Sequence, residues 1–72
     1  MKLESKLSSS VLKSATFEAE TSSLQIYFWT GQAYRYVGTD LQLYERLITA
    51  QSSGRFYNAF IRGRFEEIPI DS

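Results

Sequence analysis

The stretch SSGRFYNAFIRGRF, residues 52–65, places Arg55, Arg62 and Arg64 among Phe56, Tyr57, Phe60 and Phe65, with Asn58 in the middle and no acid. Arg55, Asn58 and Arg62 stand three and four residues apart, so on a helix they share one face. Guanidinium forks grip phosphate or carboxylate bidentately, and an Asn amide both donates and accepts. The chemistry these residues offer is recognition of an anionic partner, with Gly63 allowing Arg64 to swing toward the same face. Trp29, Tyr34 and Tyr36 complete the set of candidate partner-binding residues, and the rings beside the arginines that would stack on nucleobases are those of Tyr27, Trp29 and Tyr57. Two simpler arrangements stand beside this one: a merely solvated arginine face, or Arg62 or Arg64 paired with Glu45, Glu66 or Glu67 for about 0–1 kcal/mol.

Catalytic groups are sparse. Without His or Cys, acid–base chemistry falls to carboxylates, Lys or Tyr. Glu18 and Glu20 share a strand face, where paired carboxylates ordinarily serve solubility. Ser8, Ser9 and Ser10 have only Lys13 nearby as an activating base, and no glycine loop is spaced to cradle phosphate. The expectation is a module that is not an enzyme, with no cofactor. The missing His and Cys also exclude an ordinary zinc site and any disulfide.

The elements that position these residues follow from a chain of 72 residues, enough for one small domain. An apolar content of 43%, with 15% aromatic, supports a globular core. Eight basic and eight acidic residues cancel, so any anion-binding face must be local. MKLESKLSSS holds no apolar run of signal-peptide type and nothing is long enough to span a membrane, so a cytoplasmic protein is expected.

Residues 1–8 read as a flexible lead-in to a single domain over 9–72. SATFEAE alternates, with Ala15, Phe17 and Ala19 on one face. LQIYFWT is a strand with Leu24, Ile26 and Phe28 inward, and Thr30-Gly31 separates it from QAYRYV. A type I turn over Trp29-Thr30, with Gly31 as the left-handed bulge residue, turns Tyr34 and Tyr36 inward and keeps Arg35 out of the core. TDLQLYERLITAQSSG reads as one helix, with Thr39 as N-cap, Gln42 completing a capping box and Gly54 just past the end. Its apolar side comprises Leu41, Leu43, Tyr44, Leu47, Ile48 and Ala50. A second short helix over 55–62 buries Phe56, Tyr57, Phe60 and Ile61, so that losing Phe60 would cost about 3–5 kcal/mol. The fold class is α+β: a three-stranded antiparallel meander packed by one longer and one short C-terminal helix.

This order of features resembles the KTSC domain, a family of short single-domain bacterial proteins also appended to some lysyl-tRNA synthetases. The likeness runs from about Ser9 to Phe65. It rests on the Y-x-Y at Tyr34 and Tyr36 and on the run Ala50, Ser52, Gly54, Phe56, Tyr57, Asn58, Ile61 and Arg62. The resemblance implies an RNA-binding accessory role and brings no catalytic residues. RNA, single-stranded or structured, is thus the first expected partner. The second is a protein or another copy of the chain, contacted through Trp29 and the IPI tail at Ile68 and Ile70. Neither membrane nor metal is expected.

Overall fold

In the computed structural model, which describes residues 1–70, the alternating runs form an antiparallel sheet of five strands rather than three. In chain order the elements are β1 (Lys2–Lys6), β2 (Leu12–Glu18), β3 (Ser23–Phe28), β4 (Ala33–Val37), α1 (Leu41–Thr49), α2 (Ser53–Phe60) and β5 (Glu66–Pro69). The strands lie side by side in that same order, and both helices are inserted between the last two.

The two additional strands are the edges. Residues 1–8 are not a loose lead-in: Lys2–Lys6 pairs along β2, Leu7 is buried, and Ser5 Oγ hydrogen-bonds Tyr44 Oη at 2.6 Å. Their alternation is hard to read because only Leu3 marks the inner face, while Lys2, Glu4 and Lys6 are exposed. Such charges on an edge oppose pairing with another chain. At the opposite edge, Ile70 N–H bonds Ala33 O. The alternation of an antiparallel pair then turns Pro69 outward, where it has no N–H to offer.

The β3–β4 hairpin has the bulged geometry expected from Gly31. Gly31 N–H donates to Phe28 O at 3.0 Å with φ +96, and Phe28 N–H donates to Gln32 O. The resulting register sets Leu24 opposite Tyr36 and Ile26 opposite Tyr34, so both tyrosines face the helices. Leu12, Ala15, Phe17, Leu24, Ile26 and Tyr36 meet Tyr44 and Leu47 of α1 and Phe56, Tyr57 and Ile61 of α2 in one core.

The helical segment departs from the expectation at both ends. Asp40, not Thr39, caps α1 by accepting the Leu43 N–H at 2.8 Å. Thr39 is buried instead, and its hydroxyl donates to Ser22 O. The helix stops at Ala50, and Ser52 caps a fresh start by accepting the Arg55 N–H. Gly54 is therefore inside α2 rather than ending α1. A Cβ there would lie 3.7 Å from Ser9 Oγ, which is ordinary contact.

Phe60 is the clearest correction. It lies 45% exposed beyond the rim of the core, while Ile61 is fully buried. The Phe60 ring stacks on Phe56 at 4.8 Å, and the Arg46 guanidinium lies 5.0 Å from its centroid and 5.3 Å from that of Phe56. A short helix on a small sheet buries only a narrow stripe, and the third aromatic of the wheel falls at its margin.

Candidate nucleic-acid interface

The bulged hairpin and the start of α2 together build a cleft of about 350 Å³. The hairpin register supplies Phe28 and Tyr34; α2 supplies Gly54, Tyr57 and Asn58; Arg62 follows just past its end. Val11 just before β2, Leu12 at its start and Glu67 of β5 complete the lining. Phe28 is the centre of the aromatic wall, meeting Tyr34 edge-on at 5.9 Å and Tyr57 edge-on at 5.5 Å.

Beneath this wall runs a chain of hydroxyls. Strand pairing sets Glu67 directly across from Tyr36, on the helix-facing side of the sheet. The Tyr36 hydroxyl donates to Glu67 Oε2 at 3.1 Å and is also hydrogen-bonded to the Tyr57 hydroxyl. Burial, with Tyr57 and Glu67 beside it, pushes the Tyr36 phenol far above its ordinary range. Burial also raises Tyr57, against the lowering effect of the charge of Arg62. Both phenols stay protonated at neutral pH.

Arg55, Asn58, Arg62 and Arg64 are all exposed, and among the described residues none of the three arginines is in a salt bridge. Asn58 and Arg62 meet Tyr34 at the cleft. Arg55 lies in the adjoining shallow groove with Ser8, Ser9, Ser10 and Ser52, joined to the cleft through Asn58, Gly54 and Val11. Besides Arg55, three of the expected residues are not in the cleft lining. Tyr36 is wholly buried and reaches the site through Tyr57, by its hydroxyl and by an edge-on ring contact at 5.9 Å. Arg64 follows Gly63, whose φ of +74 turns the chain toward β5. Trp29 is in a separate hollow with Glu4, Lys6 and Lys13; its indole N–H donates to Ser9 O at 2.9 Å and Lys13 Nζ lies 5.6 Å from its ring.

Phe28, Leu12 and Glu67 were not among the expected site residues. Phe28 read simply as core, whereas Glu67 was seen only as a salt-bridge partner. Its position inside the sheet edge requires β5, which the short segment around Pro69 does not announce.

The same architecture occurs elsewhere. The KTSC domain family matches residues 8–65 of this chain. The chain belongs to the KTSC domain family. The crystal structure of a KTSC domain protein from Yersinia pestis superposes with a TM-score of 0.91 at 27% identity, covering 99% of this chain and 100% of that one. The lysine–tRNA ligase of Nostoc punctiforme is 37% identical over 57 residues, 79% of this chain. The KTSC domain described here spans only 10% of that ligase's length. A protein of Tsukamurella paurometabola is 27% identical over 62 residues, 86% of this chain and 92% of its own. Among the described residues of this KTSC domain, no helix is long and apolar enough to cross a membrane, and no three acidic groups gather as metal ligands.

Proposed function

We propose that this KTSC domain is a non-catalytic module that binds single-stranded RNA across the α2 face. The observation that carries the reading is the meeting of Asn58 and Arg62, both exposed, with the Tyr34 and Tyr57 rings at one cleft. The arginines contact phosphates, while the cleft receives a base, at about 1–3 kcal/mol for each base stacked. The relatives named lysine–tRNA ligase support it, since that name designates enzymes acting on an RNA. Zero net charge makes the attraction short-ranged, so binding is weak at high salt.

Fluorescence anisotropy with a labelled single-stranded RNA tests this. Affinity should fall steeply with salt, and Arg62→Ala should weaken binding and reduce the salt slope by roughly 0.7, the share of one phosphate contact. Absence of binding at low salt removes the reading.

A second reading has its own observation. The exposed Phe60, stacked with Phe56 under Arg46, is an aromatic–cation patch of the kind protein interfaces favour. A second copy of the chain docking there would appear as a concentration-dependent dimer in light scattering, abolished by Phe60→Ser. A monomer at all concentrations contradicts self-association.

A further inference from the structure

The hydroxyl chain under the cleft has a direction. The Glu67 carboxylate has no proton to give, so the single Tyr36 proton is committed to it. The proton in the Tyr57–Tyr36 bond must then come from Tyr57. Tyr57 and Glu67 both line the cleft, and both consequently offer lone pairs to whatever enters. Glu67 Oε2 accepts the Tyr36 O–H with one lone pair, leaving its other lone pair and Oε1 for a ligand. The Glu67 side of the cleft is an acceptor surface with a negative charge; Arg62 brings the positive charge.

That polarity selects among bases. Guanine presents two adjacent donors, N1–H and the N2 amino group, which match a carboxylate. Adenine and cytosine each set one amino donor beside a ring acceptor, and uracil flanks its single N–H with two carbonyls; each turns lone pairs toward Glu67. The volume of about 350 Å³ is at the small end of ligand pockets, and the Phe28 and Tyr34 rings supply apolar walls for one planar ring system.

We propose that the cleft takes one unstacked guanine of a single-stranded RNA, its Watson–Crick edge on Glu67 and an adjacent phosphate on Arg62. The inference rests on the RNA reading above and names the base that site receives. Glu67 is thereby a specificity residue, lying beyond the segment 8–65 that matches the family.

The test compares labelled UUGUU, UUAUU, UUCUU and UUUUU on the full chain by anisotropy at low salt. UUGUU should bind on the order of tenfold more tightly than the others, the usual discrimination of a good bidentate base contact. Glu67→Gln keeps an acceptor for Tyr36 but sets an amide donor against guanine, and should reduce that preference to within about twofold. An unchanged melting temperature shows that the variant is folded. Equal binding of all four oligonucleotides overturns the guanine assignment and leaves the RNA reading standing. A guanine preference that survives Glu67→Gln overturns the role of Glu67. Failure of every oligonucleotide to bind overturns both readings. Guanosine monophosphate competing as well as UUGUU overturns the strand and leaves a mononucleotide site.

Discussion

Glu67 faces Tyr36 across the β4–β5 ladder, and its carboxylate accepts the Tyr36 hydroxyl 3.1 Å away. A fully buried phenol on the central side of the sheet is thereby linked to an exposed acid at the edge of the cleft. This pairing ties fold stability to the site, because the same bond that satisfies a core hydroxyl also fixes which groups in the cleft accept.

The first consequence is alkaline sensitivity. The folded state holds the Tyr36 proton well above the ordinary phenol range near 10, whereas the unfolded chain releases it there. Above about pH 10 the unfolded state therefore binds fewer protons, and stability falls with rising pH by about 1.4 kcal/mol per pH unit for each proton retained. The contribution is complete below pH 10. Thermal melts from pH 8 to pH 11.5 should show this decline, and Tyr36→Phe should flatten it. An equally steep decline in the variant would place the effect elsewhere.

Adjacent residues in α2 and its cap should respond by different amounts. Ile61 is fully buried, so Ile61→Ala should cost about 2–5 kcal/mol. Phe60 is 45% exposed and packs on Phe56 alone among the rings, so Phe60→Ala should cost about 1 kcal/mol. Urea unfolding of the two variants measures both; a larger loss at Phe60 would contradict the packing.

The start of α1 offers a similarly local contrast. Asp40→Ala removes the acceptor for the Leu43 N–H and should cost about 1 kcal/mol, with Asp40→Asn retaining most of the cap. Chemical denaturation reads the difference. Equal losses for both variants would show that the capping oxygen does not stabilise the helix.

Much of this was legible in the residues, and the gaps have physical causes. Gly31 specified the bulged register, because a left-handed residue after a two-residue turn fits it, and that alone determined that Tyr34 and Tyr36 face inward. Arg55, Asn58 and Arg62 were legible as an exposed face from helical spacing. The break after Ala50 was not, since Gln51 and Ser52 continue a helical composition and only the Ser52 cap marks the restart. β1 and β5 were missed because edge strands carry charges and Pro where an interior strand would carry alternating apolar residues. Without β5, Glu67 had no position, and the acceptor end of the cleft could not be seen.

The most direct measurement is a titration of isotope-labelled protein with UUGUU, followed residue by residue by amide chemical shifts. The expected result is a set of perturbations centred on Tyr34, Tyr57, Asn58, Arg62 and Glu67 that saturates at one site. Shifts confined to Trp29, Lys13 and Lys6, or to Phe56 and Phe60, would contradict the assignment of the cleft as the RNA-binding surface.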